Sequence, residues 1–120
     1  MRFFLAIAFI CLTASASVAQ SRAAATDTAV AQVQRYYASY HAGRLVRAQL
    51  LLRDTGNYGG PVDGQWGPET EAGFRRVIDT LAAINGQPAA PLQREEDILA
   101  LLDWLGALYL AEAGYQEYPD

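Results

Sequence analysis

Tyr58-Gly-Gly-Pro-Val-Asp-Gly-Gln-Trp-Gly-Pro-Glu-Thr70 is the stretch that decides how the rest of this 120-residue chain is read. It holds four of the chain's ten glycines and two of its five prolines. No regular helix or strand tolerates that density. Gly59, Gly60 and Gly64 reach positive φ at little cost, while Pro61 and Pro68 fix φ and donate no hydrogen bond. The stretch therefore reads as a tight, shaped loop between two helices. Tyr58 and Trp66 sit inside it. A rigid backbone carrying exposed rings reads as a recognition loop rather than a plain connector.

Both flanks are helical in pattern. Upstream, Arg44 to Thr55 places Leu45, Ala48, Leu51, Leu52 and Thr55 on one stripe, with Arg44, Arg47 and Arg53 outside it. Gly56 then suits the left-handed position that ends a helix. Downstream, Pro68 fits the first turn, where its missing N–H is no loss. Glu69 and Glu71 favour the positive end of the helix dipole. The apolar positions Ala72, Phe74, Val77, Ile78, Leu81 and Ile84 carry that helix to Asn85-Gly86, and Gln87 to Pro91 is a proline-containing linker.

Further out, Val30, Val33, Tyr37 and Tyr40 recur at three or four residues, which predicts a helix from about Ala29 to a break at His41-Ala42-Gly43. Tyr36 lies beside that stripe. The last helix opens on Glu95, Glu96 and Asp97, again correct for the dipole. Ile98, Leu101, Leu102, Leu105, Leu108 and Tyr109 form its apolar face, and Leu99, Trp104 and Leu110 widen it. Such a helix must be buried on several sides or meet a partner. Asp103 interrupts it, and it is too short to be a membrane span. There is no β-alternation and no internal repeat. The fold class is all-α: a small helical bundle with an extra N-terminal helix and a long apolar C-terminal one.

The N-terminus reads as an export signal. Arg2 is a positive n-region, Phe3 to Leu12 is an unbroken apolar run, and Ser17-Val18-Ala19 supplies small residues for cleavage. Residues 1–19 are thus expected to be removed, with 20–27 a disordered start, 28–114 the bundle and 115–120 an acidic tail. The apolar run is too short for a stable anchor. Cys11 lies within the run rather than at its end, which argues against lipid attachment. Cleavage would remove this only cysteine, so the mature chain would hold no disulfide and no thiolate metal site. It would also leave 8 Arg against 13 Asp plus Glu, a net charge of −5, with no Lys at all. That balance excludes a general nucleic-acid or anionic-membrane binder.

The central motif resembles a known family. Val46-Arg47-Ala48-Gln49-x-x-Leu52, then Gly56-Asn57-Tyr58, then Gly60-Pro61-Val62-Asp63-Gly64-Gln65-Trp66-Gly67-Pro68-Glu69-Thr70-Glu71-Ala72, is similar to the peptidoglycan-binding-domain-1-like family. The likeness covers about Gly43 to Leu81, with the bundle's peptidoglycan-binding-like core at about 43–86. It departs at Val77-Ile78, where the family has Phe-Gln, and in the longer last helix. The resemblance implies a three-helix domain that holds cell-wall peptidoglycan without chemistry of its own, in the periplasm or outside the cell.

The residue types fit that expectation. Asp63 can bond back to loop N–H groups, Gly64 permits the reversal, and the Thr70 hydroxyl can reach a loop or helix-end backbone group. Tyr58 and Trp66 offer ring area for sugar or stem-peptide groups. Arg47, Arg53, Arg75 and Arg76 could pair with stem-peptide carboxylates, Arg47 and Arg75 being in the expected set, although Glu71 can satisfy Arg75 at i,i+4. The expected ligand-binding set is therefore Tyr58, Asp63, Gly64, Trp66, Thr70, Arg47 and Arg75. No cofactor and no metal is expected. His41 is the only histidine and the mature serines are Ser21 and Ser39, so no catalytic set is legible and the chain reads as a non-enzyme. The alternative is a protein–protein interaction module on the same scaffold, in which the Tyr-rich N-terminal helix or the apolar last helix meets another exported protein or a second copy.

Overall fold

In the computed structural model the backbone is described for residues 2–112, and side-chain surroundings for 17–108. Four helices follow one another: α1 (Arg2–Ala38), α2 (Ala42–Asp54), α3 (Pro68–Asn85) and α4 (Glu95–Glu112). No strand occurs among the described residues. The all-α class is therefore the observed one. The tail at 115–120, and the side chains of Tyr109 and Leu110, lie outside the described residues.

The helix ends follow local chemistry. His41 caps α2, with its Nδ1 accepting a hydrogen bond from the Gly43 N–H at 3.1 Å. The sequence break at His41-Gly43 thus falls slightly earlier than expected, and Gly43 itself is helical. At the other end of α2, Asn57 N–H donates to Leu52 O at 2.7 Å and Gly56 N–H to Arg53 O at 3.0 Å, with Gly56 at φ 78°. This is a Schellman closure, and Gly86 closes α3 in the same way. At the start of α4, the Asp97 carboxylate reaches back to the Arg94 N–H at 3.2 Å.

Among the described residues the core begins at Thr26. Ala29, Val30, Val33 and Tyr37 of α1, Leu45, Ala48 and Leu52 of α2, Phe74, Val77 and Ile78 of α3, and Ile98, Leu101 and Leu105 of α4 are buried together, with Tyr58 and Leu92 from the connections. α1 packs chiefly on α3, and α2 chiefly on α4. Full burial of a side chain such as Phe74 contributes about 1.5–3 kcal/mol relative to leaving it exposed. The linker is fixed by Leu92, whose N–H donates to Gln32 Oε1 of α1 at 2.6 Å. A surface clasp ties three helices: the Tyr36 hydroxyl donates to Glu95 Oε1 at 3.0 Å, and Arg44 Nη1 donates to both at 2.9 Å.

Three expectations need correction. Residues 20–27 are helical rather than disordered, because α1 runs through them and Thr26 is anchored: its hydroxyl donates to Asp79 Oδ1 of α3 at 2.7 Å. Tyr40 is exposed rather than in the buried stripe, because α1 ends at Ala38 and Tyr40 lies in the turn beyond it. Its ring instead lies under the Arg44 guanidinium, 4.2 Å from the ring centroid. Ile84 is 66% exposed, because the last turn of α3 projects past the helices that cover Phe74, Val77 and Ile78.

One buried polar group has no partner among the described residues. The Tyr37 hydroxyl is enclosed and unbonded, and the ring that carries it lies 5.0 Å from Tyr36 and 5.9 Å from Phe74, centroid to centroid. Burial, first, and then the neighbouring Tyr36 phenol push its pKa well above the ordinary value of 10.0.

Candidate functional site

The Tyr58–Thr70 loop is built around Gln49. This α2 side chain is 0% exposed, and both ends of its amide are used. Oε1 accepts from the Asp63 N–H at 3.1 Å and the Gly64 N–H at 2.9 Å. Nε2 donates to Gln65 O at 3.0 Å and to Thr70 Oγ1 at 3.2 Å, with Asp63 Oδ1 a longer contact at 3.4 Å. A loop without a ladder must satisfy its backbone groups somewhere, and here one glutamine replaces the missing secondary structure. Asp63 adds a local turn, with Oδ1 accepting from the Gln65 N–H at 3.0 Å.

Gly64 has two reasons to be glycine. Its φ is 72°, and a Cβ there would meet Ala42 O at 2.7 Å, at the start of α2. Tyr58 turns inward, so that its hydroxyl donates to Pro61 O and closes the first half of the loop. Trp66 lies across α3, stacked on Phe74 at 5.5 Å with ring planes 14° apart. Offset ring pairs of this kind add to plain burial.

The loop and the first turn of α3 enclose an open groove of about 470 Å³. Tyr58, Pro61, Asp63, Gln65, Trp66, Gly67, Pro68, Glu69 and Thr70 line it. The Glu69 carboxylate makes no hydrogen bond or ion pair among the described residues and lies against Gly60, where a Cβ would overlap its Oε2. The Gly60 Cβ would also approach the Tyr58 hydroxyl at 2.9 Å. The charged lining is thus two carboxylates, Asp63 and Glu69, with no base.

The expected site residues divide accordingly. Asp63, Gly64 and Thr70 are brought together by Gln49, where they build the rim; Thr70 is buried. Trp66 is half-buried and reaches the groove. Tyr58 also lines it but is not the exposed ring anticipated: only 7% of its surface is accessible. The two arginines lie outside the lining. Arg47 is exposed on α2. Arg75 is engaged with Asp27 of α1 and, at 3.7 Å, with Glu71. The hydrogen bond to Asp27 is the main cause that raises its pKa above the usual arginine value.

Gln49 is the site residue that the motif alone does not single out. The available signal was its register: Gln49 is four residues from Leu45 and three from Leu52, on the inward face of α2. Glu69 serves the α3 dipole, as its position in the first turn predicts, and also lines the groove. Among the described residues, no group of three or more His, Cys, Asp or Glu side chains could hold a metal ion. Compared with protein-family models, curated proteins and solved structures, the chain matches none.

Proposed function

We propose that this chain is an exported, non-catalytic protein that holds cell-wall peptidoglycan in the groove beside the Tyr58–Thr70 loop. The observation that carries the reading is the groove itself: about 470 Å³, open to solvent, with the Trp66 ring in a wall held rigid by Gln49. A pre-formed rim and a large ring give contact area at low entropic cost. The motif from Val46 to Ala72 that resembles peptidoglycan-binding domains supplies the ligand class. Export agrees with the apolar run at Phe3–Leu12 and with the position of the core. Residues 17–24 are all exposed, so cleavage after Ala19 would remove no described core contact. His41 has a structural use as the α2 cap, and no group in the groove is paired as nucleophile and base.

Co-sedimentation with insoluble peptidoglycan tests this. The purified protein is expected in the pellet at low salt. Trp66→Leu keeps an apolar cover over Phe74 but removes the ring, and is expected to weaken retention about tenfold with the melting temperature checked in parallel. Wild-type protein that stays in the supernatant would end the reading.

A second reading is favoured by one observation. Leu99 and Leu108 on α4 are 45% and 38% exposed. The two lie on opposite sides of the helix, nine residues apart, and an interaction module would use the Leu108 side for another exported protein or a second copy. A charge placed at Leu108 would then abolish self-association or partner retention without unfolding the chain.

A further inference from the structure

We infer that the groove recognises a cationic amine, the free ammonium of a wall stem peptide, rather than the stem-peptide carboxylates that the arginines first suggested. The inference rests on the wall-binding reading and specifies which part of the wall enters the site. Its basis is charge complementarity in a defined cavity. Asp63 and Glu69 both line the groove, and neither Arg47 nor Arg75 does. Glu69 has no hydrogen-bond or ion-pair partner among the described residues, and its carboxylate lies against Gly60, between the loop's lining residues Tyr58 and Pro61.

The positive potential nearest the groove comes from the α3 N-terminus at Pro68 and, outside the lining, from Arg76, whose guanidinium donates to Asn57 O at 2.6 Å just before Tyr58. A helix end is equivalent to about half a charge, while the two carboxylates carry two full negative charges. The net field in the groove therefore repels an anion and attracts a cation. The aromatic wall agrees, since a ring face attracts an ammonium through its quadrupole, most strongly for Trp. Trp66 gives one face to Phe74, leaving the rest of the ring to the groove. An alkylammonium fits both features: its head meets the carboxylates and its methylene stem lies on Trp66 and Pro61.

The experiment compares retention on untreated peptidoglycan with retention on peptidoglycan whose free amines have been capped with acetic anhydride. Acetylation is expected to weaken retention about tenfold, and Glu69→Lys to weaken it similarly on untreated wall. Glu69→Gln, which removes charge without reversing it, is expected to cost about threefold. Glu69 lies in the first turn of α3, so Glu69→Lys should melt somewhat lower through the helix dipole, and Glu69→Gln less so; retention is compared at a temperature where all three proteins are folded. Equal retention on both walls would overturn the amine inference and leave wall binding intact. Loss on acetylated wall with no effect of Glu69→Lys would overturn the assignment to this groove. No retention on either wall would overturn the wall-binding reading and this inference with it.

Discussion

Gln49 and Tyr37 are both buried polar side chains on inward helix faces, and they differ in almost everything else. Gln49 satisfies four loop groups and has its own amide fully engaged. Tyr37 encloses a hydroxyl that bonds to nothing described. The difference lies in what surrounds them. Gln49 faces a loop whose N–H and C=O groups have no ladder, so a buried amide there saves several desolvation penalties at once. Tyr37 faces other helices, whose backbones are already satisfied, so its ring fills space and its hydroxyl finds no work. Thr26 falls between them, buried and bonded once, to Asp79.

This gradation can be broken by substitution. Gln49→Leu keeps volume but strands the loop's groups, and should destabilise by about 3 kcal/mol, read from denaturant midpoints. It should also open the groove and abolish any wall retention. A loss below 1 kcal/mol would mean that water serves the loop as well as Gln49 does. Thr26→Val removes a single bond whose acceptor, Asp79, stays hydrated, so a loss of about 0.5–1 kcal/mol is expected.

Tyr37→Phe is the smallest change. It keeps the ring and discards an unpartnered hydroxyl, so stability at neutral pH should hold or rise by up to about 1 kcal/mol. Its alkaline behaviour is more telling. The folded pKa of Tyr37 is raised by burial, so its stabilisation is full below the unfolded value of about 10. It falls as pH rises beyond that, because the unfolded chain releases the proton while the folded chain retains it. Wild type should therefore lose about 1.4 kcal/mol per pH unit there from this one proton. Tyr37→Phe should lack that contribution, leaving the smaller part from Tyr36, whose pKa is also raised chiefly by burial. Identical alkaline limbs in both proteins would mean that the hydroxyl is hydrated after all.

Much of the fold was legible in local chemistry. Pro68, Gly56 and Gly86 mark helix ends because their backbone preferences act within a few residues. The spacing of Val30, Val33 and Tyr37 gave the inner face of α1 for the same reason. Tyr40 and Ile84 continue the apolar periodicity yet are exposed, because periodicity does not show where burial by a neighbour ends. The helix at 20–27 escapes local pattern because Thr26 is held by Asp79, 53 residues away.

The sequence by itself determined the helical class, most helix boundaries and the loop at Tyr58–Thr70, since those depend on φ preferences, capping and apolar spacing along the chain. Only the tertiary structure decided what the loop presents. It turned Tyr58 inward, laid Trp66 on Phe74, gave Arg75 to Asp27 and left Glu69 and Asp63 as the groove's only charges. Those outcomes depend on which helix lies against which, and on the Gln49 amide meeting backbone groups 14 to 16 residues away. A pattern read along one helix does not contain that information.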